Sequence, residues 1–490
     1  MAVSPLLKLQ GRPFMGMIRF MLRSLFFLLA LVCSAKGQAY APINDRPPQL
    51  TREFRGAWIA TVHNLDWPSK GSSAASQQAE LRSMLDKLAA LKMNAVIFQV
   101  RPSCDALYQS SLEPWSQWLT GTMGRSPGYD PLAFCIREAH ARGIEVHAWF
   151  NPFRALCNNS HPVAGNHVVK ASPHITKRYG NMTWCDPASS EARARALNAI
   201  MDVVRRYDVD GIHLDDYFYP YPEGGRTFAD GKSPAERRSH IDGFVSKLYS
   251  SVKSQKPWVR VGISPFGIWR PGVPDGIEAG IDSFEHLAGD SRKWLKNGWV
   301  DYLAPQLYWR IAPRKQSFPL LLEWWRDQGK RPVWPGIATA RIQSSEDPGR
   351  PASEITNQID LSRKIGSGPQ GHIHWSAKSL VSNRGGIANK LAGSYTQAAA
   401  VPAMPWINNN APEAPGVSAQ ANGNATLVRW IANKGNAKIA IQTRVDGNWR
   451  TAKITSAGSG QTSVPRADAI AITALDRFGN ASSPKVLGLR

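Results

Sequence analysis

The sequence predicts an α/β protein, a (β/α)8 barrel followed by a small C-terminal β-sandwich. Between residues 50 and 395, eight short runs rich in aromatic and β-branched residues alternate with helical patterns. At 396–415 the composition changes to "TQAAAVPAMPWINNNAPEAP", which is typical of a linker. Residues 416–490 then show short alternating runs separated by turn residues, which is typical of a sandwich.

The barrel prediction rests on the order of its elements. The runs predicted to be strands are residues 54–62, 94–102, 145–153, 211–219, 260–267, 300–309, 332–339 and 371–380. Apolar residues at three- and four-residue steps predict helices between them, for example at 76–93, 131–143, 190–208 and 236–253. A doubly wound open sheet is the alternative, but no glycine-rich phosphate loop follows the first run.

The N-terminal segment has the layout of a signal peptide. Basic residues precede the apolar run "SLFFLLALVCSA", which is too short to cross a bilayer. We therefore expect residues 1–39 to be removed and the protein to be exported to the periplasm or cell envelope. Cys33 raises the alternative of a lipid anchor, but the residues before it fit a lipidation motif poorly.

The charge of the chain favours an anionic partner. The net charge is +22, and it falls to +17 without residues 1–39, which contain five basic and no acidic residues. This surplus favours polymers such as cell-wall glycans or association with the envelope. Nucleic acid is not expected as a partner because no dense Lys/Arg run or nucleic-acid motif is present. We expect a monomer.

Four cysteines remain after residue 39. Export to an oxidising compartment permits pairing, and Cys157 with Cys185 is the preferred pair because the two flank one long polar segment. Cys104 and Cys135 are then expected to be buried free thiols.

The most informative stretch is "DGIHLDDYFYP", residues 210–220. Residues two apart in a strand face the same way, so His213 and Asp215 share one face and Asp216 lies on the other. If His213 points into the barrel, Asp215 does so at its mouth, where barrel enzymes hold their active sites. Asp216 either supports Asp215 or contacts substrate from the rim; alternatively it caps the following helix or forms an ion pair with an arginine.

Other strand ends supply residues suited to a polyol. Amides, guanidinium groups and aromatic planes hold sugar rings and hydroxyls. The candidate substrate-binding residues of this kind are Arg101, Trp149, Asn151, Arg154, His213, Tyr217, Tyr219, Asp290, Gln306, Tyr308, Trp309 and Trp375.

Glycosidic cleavage needs two carboxyl groups, one protonated and one ionised. Asp215 is the candidate for the ionised group. The sequence does not decide which residue supplies the second carboxyl group. The candidates are Asp216 itself, Asp290 and Glu113, which lies in the aromatic loop "SLEPWSQWLTG". Asp290 precedes a helical run, so it is also a candidate N-cap.

Two alternatives to metal-free hydrolysis follow from the residues. The fifth and sixth predicted strands end without an acid, so a catalytically silent glycan-binding protein is an alternative function. His372 and His374 share one face of the eighth predicted strand and would complete a metal site with His213 and Asp215. Histidines in a barrel wall are more often core residues, so no metal or other cofactor is expected.

Several long motifs, in order across residues 50–395, resemble the glycosyl hydrolase-like 10 family. They include "REFRGAWIATVHNLDWP", "NAVIFQVRP", "PGYDPLAFCIREAHARGIEVHAWFNPFRA", "RYDVDGIHLDDYFYPYP", "DSRKWLKNGWVDYLAPQLYW" and "GHIHWSAKSL". The resemblance implies a bacterial exported (β/α)8 glycosidase and, for related division-associated enzymes, cleavage of peptidoglycan glycan strands that lack stem peptides.

Two weaker resemblances concern single motifs. The stretch "DGIHLD" is similar to the fourth strand of α-amylase-like barrels, Asp-Gly-x-Arg-x-Asp, with Asp215 at the nucleophile position and His213 in place of the arginine. The stretch "ALDRFGNAS" resembles the last hairpin of fibronectin type III modules, so residues 416–490 are predicted to be such a sandwich.

Overall fold

A computed structural model describes residues 38–366 and 368–490. Residues 1–37 of the predicted signal peptide, including Cys33, lie outside the described residues. In the part of the chain that is described, no helix combines the length and the apolar character needed to cross a membrane.

Eight parallel strands form the barrel, as the sequence predicted. In chain order they are Phe54–Ile59, Ala95–Arg101, Glu145–Phe150, Gly211–Leu214, Arg260–Ile263, Tyr302–Leu303, Gly336–Ile337 and Gly371–His374. They are called the first to eighth barrel strands below. Seven pairings link them, and the first strand pairs with both the second and the eighth. Parallel bridges between Leu303 and Val333 and between Gln306 and Gly336 join the sixth strand to the seventh and close the barrel.

Helices cover the outside of the barrel and fill the loops between strands. They are Ala74–Ala90, Gln117–Thr120, Pro131–Ala141, Val168–Ala171, Ser190–Arg206, Pro234–Gln255, Ser283–His286, Ser291–Lys296, Phe318–Arg326, Ala352–Lys364, Ala377–Val381 and Ile387–Ser394. Their starts follow sequence signals. For example, Ser233 and Glu236 form a reciprocal capping box before Pro234–Gln255, so both orphan backbone donors are satisfied.

Large rings fill the interior at the amino-terminal end of the strands. Phe54 stacks on Trp334 with ring centres 4.1 Å apart, and Trp334 stacks on Tyr302 at 4.7 Å. A Cβ atom on Gly262 would lie 1.9 Å from the Tyr302 ring, so only glycine leaves room there. The barrel is therefore closed from below, and a ligand can reach it only from the carboxyl ends of its strands.

A small antiparallel sheet follows the third barrel strand and corrects the predicted cysteine pairing. Its strands are Arg154–Leu156, Thr176–Tyr179 and Met182–Cys185, and Arg154 lies opposite Trp184. This register carries Cys157 past the end of the pairing, while the Cys185 sulfur lies 3.5 Å from that of Cys104. The predicted Cys157–Cys185 disulfide is thus wrong, and all four cysteines are free thiols here.

The C-terminal residues form two antiparallel sheets around one apolar core. One contains Gly416–Asn422, Ala425–Ile431 and Gln461–Pro465, and the other contains Lys438–Val445, Asn448–Ser456, Ala469–Leu475 and Lys485–Leu489. The strand Tyr40–Pro42, which the sequence analysis did not predict, pairs with Lys485–Leu489 at the edge of the second sheet. The fibronectin type III character of this sandwich stays a prediction.

The segment 396–415, which the sequence predicts to be a linker, is packed against the barrel. Ala400 pairs with Arg52 in a parallel bridge, and the indole of Trp406 donates to Asp301 at 2.9 Å. The sandwich also contacts the barrel directly, because Lys438 forms a 2.9 Å ion pair with Glu145. These contacts lie at the amino-terminal ends of the barrel strands, away from the mouth.

Candidate active site

Asp215 and Asp216 directly follow the fourth barrel strand, at the barrel mouth. Both side chains are almost completely buried, with 5% and 4% of each residue exposed. Asp215 accepts hydrogen bonds from the Asn151 amide, the Trp149 indole at 3.2 Å and the backbone N–H of Tyr217 at 3.2 Å. The third strand and the fourth, which pair side by side, thus bring three of the predicted residues together around one carboxyl group.

Asp216 has its own set of donors. The hydroxyl of Tyr221 donates to one oxygen, and the amide of Gln306 donates to the other at 3.0 Å. Tyr221 was not among the predicted site residues. The aromatic run "YFYPYP" after the two acids is the signal that would have found it.

Burial and the neighbouring charge change how the two carboxyl groups titrate. Burial, followed by the Asp216 charge, raises the pKa of Asp215 to about 7. Burial also raises the pKa of Asp216, against the hydrogen bonds from Tyr221 and Gln306, which lower it. Two adjacent buried carboxyl groups resist ionising together, so the pair retains one proton near neutral pH.

Glu113 and Arg101 lie behind this pair instead of in the cleft. The Glu113 side chain is fully enclosed and forms a two-point ion pair with Arg101, at 2.6 and 2.7 Å. Arg101 also donates to the carbonyl oxygens of Asn151 and Pro152. Glu113 therefore has no path to a glycosidic oxygen, and the structure contradicts its candidacy as the second carboxyl group. The role of Arg101 is to position the backbone that carries Asn151.

Aromatic side chains form the walls of the mouth. Trp375 meets Trp149 edge-on at 6.2 Å, and Trp309 meets Phe266 edge-on at 5.8 Å. Tyr308 is half-buried, and its pKa is raised by burial and then by the charge of Asp216. These walls combine rings with few hydroxyl donors, an arrangement suited to sugar faces.

The ring of Tyr217 faces Trp184 in a stacked arrangement at 6.3 Å. Tyr217 remains partly exposed, and its contact with substrate stays a prediction. Trp184 is fully buried and was not predicted, because its position behind Tyr217 depends on the register of the small antiparallel sheet.

Two predicted binding residues lie away from the cleft. Tyr219 is 1% exposed and is enclosed between Phe228 and Arg237. Asp290 caps the helix Ser291–Lys296 by accepting from the backbone of Lys293, the alternative that the sequence left open. Neither side chain contacts the acid pair.

The histidines that suggested a metal site have other partners. His213 lies beneath Asp215, fully buried, and bonds to the Tyr302 hydroxyl at 3.0 Å, so it does not reach substrate. His372 and His374 both bond to the hydroxyl of Tyr395. Across residues 38–366 and 368–490, no three His, Cys, Asp or Glu side chains converge as metal ligands.

Comparison with known proteins identifies the reaction class. The family model of glycosyl hydrolase-like 10 matches residues 53–348, which include the acid pair and its donors. The chain belongs to this family. It is accordingly a glycoside hydrolase, and its substrate class is polysaccharide.

Relatives in two bacteria extend this result. Glycosyl hydrolase YngK of Bacillus subtilis is 39% identical over 408 residues, covering 78% of this chain and 80% of that protein. Glycosyl hydrolase DigH of Escherichia coli K12 is 34% identical over 340 residues, covering 61% and 77% respectively.

Solved structures are more distant. The endo-β-1,4-mannanase of Thermotoga petrophila aligns with 90% of this chain and 98% of its own at 11% identity, with a TM-score of 0.43. The glycoside hydrolase domain of PgaB from Bordetella bronchiseptica aligns with 70% and 98% at 11% identity, with a TM-score of 0.43.

Proposed function

We propose that this glycoside hydrolase is exported and cleaves peptidoglycan glycan strands that lack stem peptides. The observation that carries the proposal is the pair Asp215–Asp216, which retains one proton at an aromatic-walled barrel mouth. The family supplies the reaction class. The apolar N-terminal segment supports export, and the net charge of +17 without residues 1–39 supports an anionic glycan.

The pair supplies both carboxyl functions that hydrolysis needs. Asp215, with a pKa near 7, is the group that holds the proton, while Tyr221 and Gln306 stabilise the ionised form of Asp216. Asp215 donates this proton to the glycosidic oxygen, which keeps the electron pair of the breaking C1–O bond. The ionised Asp216 stabilises the positive charge that develops at C1. Water then adds its hydroxyl to C1 and returns a proton to the pair.

This assignment reverses the role that the sequence predicted for Asp215, where it was the ionised group. The reason is local: burial of Asp215 raises its pKa to about 7, although the hydrogen bonds from the Tyr217 backbone and the Asn151 amide act in the opposite direction. The adjacency of the two acids also raises the pKa of Asp215.

Digestion of isolated glycan strands tests the proposal. Strands with and without stem peptides are incubated with the protein lacking residues 1–39, and soluble products are read by mass spectrometry. We expect saccharide products from stripped strands and little from strands that keep their peptides. Asp215→Asn reduces the rate of release by at least about 10²-fold, whereas Asp275→Asn, the same change at an exposed aspartate on the surface, leaves it unchanged. Strands that bind but yield no products would contradict the proposal.

A further inference from the structure

Arg154 is held rigidly in the wall of the cleft. Its Nε donates to the carbonyl oxygen of Pro102 at 3.0 Å, and its guanidinium carbon lies 5.2 Å from the centre of the Tyr217 ring. Tyr217 is in turn backed by Trp184. Only 8% of Arg154 is exposed. The side chain therefore has one orientation, set before any ligand binds.

The outer edge of this guanidinium has no partner within the protein. Among the described residues, no hydrogen bond reaches its Nη1 or Nη2, and no carboxylate lies within 4.0 Å of it. Neither nitrogen is enclosed by protein atoms. Nη1 and Nη2 are therefore available to a ligand, and the charge of Arg154 acts on both Asp215 and Asp216.

A second group of side chains, the basic shelf, is formed by His63, Trp118 and His161, and the charge of Arg154 acts on His63. Trp118 lies between the two imidazoles, with ring centres 4.8 Å from His63 and 5.8 Å from His161. The pKa of His63 is lowered by burial and then by the positive charges of Arg154 and His161, so the three basic groups are within electrostatic reach of one another.

The backbone of this shelf is strained. His63 and Asn64 have φ angles of 55° and 54°, in the left-handed region that non-glycine residues rarely adopt. The side-chain amide of Asn64 holds this turn by donating to the carbonyl oxygens of Pro68 and Trp118, each at 2.8 Å. Such strain persists where surrounding structure enforces it and is concentrated at ligand-binding segments.

We propose that Arg154 and the basic shelf form a subsite for a sugar unit that carries a carboxylate. The fork of Nη1 and Nη2 matches the two oxygens of a carboxylate, and Trp118 offers an aromatic surface to the sugar ring. Because Arg154 lies against the ring of Tyr217, whose backbone N–H donates to Asp215, this unit lies next to the bond that is cleaved. The inference rests on the proposed function, since it assigns a specificity to the same cleft.

Two kinds of acidic amino-sugar glycan share this chemistry. In stripped peptidoglycan strands the carboxylate belongs to the lactyl ether of muramic acid, and in oligosaccharides of N-acetylglucosamine and glucuronic acid it belongs to the ring. The test therefore uses both, together with stripped strands whose carboxyl groups have been reduced to alcohols. Binding is measured by calorimetry with Asp215→Asn, and kcat/KM is measured with the protein that has an intact acid pair.

We expect the native strands to bind at least about tenfold more tightly than the reduced strands, as for a charge-assisted bidentate contact. Arg154→Gln brings this ratio close to one, and Arg154→Lys, which keeps the charge without the fork, gives an intermediate ratio. Arg178→Gln, on the exposed face of the same small sheet, leaves the ratio unchanged. A preference for lactyl over ring carboxylates, or the reverse, identifies the source of the acid.

Equal binding of native and reduced strands overturns the subsite, as does an Arg154→Gln variant that weakens both equally. If circular dichroism shows that Arg154→Gln does not fold, the test uses Arg154→Lys. A ratio of native to reduced affinity in Arg154→Lys as high as in the parent then overturns the subsite. Binding that depends on the carboxylate without any cleavage by the protein with an intact acid pair would leave the subsite standing and remove the proposed hydrolysis.

Discussion

Arg101 and Glu113 form a two-point ion pair directly behind the residue that donates to Asp215. Nε and Nη2 of the guanidinium meet both carboxylate oxygens, while Nη1 donates to the backbone of Asn151 at 2.7 Å. Arg195 approaches the same carboxylate at 3.6 Å. The carboxyl group that the sequence offered as a catalytic partner thus stabilises the fold behind the active site.

Glu113→Gln is accordingly expected to reduce stability, because it leaves the buried Arg101 without its counter-charge. Breaking a buried pair of this kind costs about 3–5 kcal/mol. Urea unfolding measures this loss. Under conditions in which the variant is folded, the dependence of its kcat/KM on pH should have the same acidic and alkaline limbs as that of the unmutated protein. If a limb disappears while stability is unchanged, Glu113 takes part in proton transfer after all.

The acid pair predicts a bell-shaped dependence of kcat/KM on pH. The alkaline limb lies near pH 7, because Asp215 loses its proton as the pH rises through its pKa of about 7. The acidic limb reports protonation of Asp216. Asp215→Asn should lower kcat/KM by about 10²–10⁴-fold and remove the alkaline limb. Asp275→Asn is the matched control, and a surviving alkaline limb in Asp215→Asn would assign the proton to another group.

Tyr221→Phe removes one donor to Asp216 and keeps the aromatic ring. The ionised form of Asp216 then loses a charge-assisted hydrogen bond, so its pKa rises further. We expect the acidic limb of the pH profile to move upward by about one pH unit. Tyr249→Phe, which removes a hydroxyl bonded to Asp301 outside the cleft, is the control. Movement of the alkaline limb alone would exchange the roles of the two acids.

The raised pKa of Asp215 also predicts a stability effect that grows with pH. The ordinary value is 3.8 and the folded value about 7, so below pH 3.8 the group is protonated in both states and costs nothing. Between pH 3.8 and about 7, Asp215 ionises in the unfolded state before it does so in the folded state, so the free energy of unfolding falls. Above pH 7 this loss of stability is complete. Asp215→Asn should therefore stabilise the protein at pH 8 relative to pH 4 by roughly 2–4 kcal/mol. Urea unfolding at both values measures this, and an equal effect at the two would contradict the raised pKa.

Cys104 and Cys185 are expected to form a disulfide when a disulfide donor such as oxidised glutathione is supplied. Both thiols are buried, so the reaction requires local opening of the fold. The Cys104 thiolate, whose pKa is lowered by the hydrogen bond with Cys185 and by Arg101, then attacks the donor and releases one glutathione. Cys185 then displaces the second, so two thiols are oxidised and one donor is reduced. Closing a loop of 81 residues stabilises the fold by about 4 kcal/mol.

Peptide mapping without reduction checks this pairing. Cys135 has no neighbouring thiol, and Cys157 lies past the small sheet, so both should remain free. Cys104→Ser should leave Cys185 unlinked. A Cys157–Cys185 link in the mapped peptides would restore the pairing that the sequence favoured.

The eight barrel strands were predictable because each is a short apolar run between helices with visible caps. Their lengths were not. The run 300–309 contains only Tyr302–Leu303 as strand, because Pro305 interrupts the ladder and the following side chains turn towards the mouth. The strand Tyr40–Pro42 has no signal of its own, since it pairs with residues more than 400 positions away.

The site was predictable where it depends on the alternation of one strand. Asp215, Asn151 and Trp149 follow from that alternation at neighbouring strand ends. Glu113 and Tyr219 were misplaced because both sit in loops, whose side chains find partners through tertiary contacts that periodicity does not record. Tyr221 and Trp184 were not predicted for the same reason, because tertiary contacts bring them to the site.

The pairing of Tyr40–Pro42 with Lys485–Leu489 changes how the chain is best divided. By connectivity, the barrel is an insertion within the sandwich, entered after the first edge strand and left before the remaining ones. Both ends of the described chain therefore emerge from the same module, on the side opposite the barrel mouth. A tether at either end would present the open cleft outward, and a truncation at Gly416 would strip the N-terminal strand of its partner.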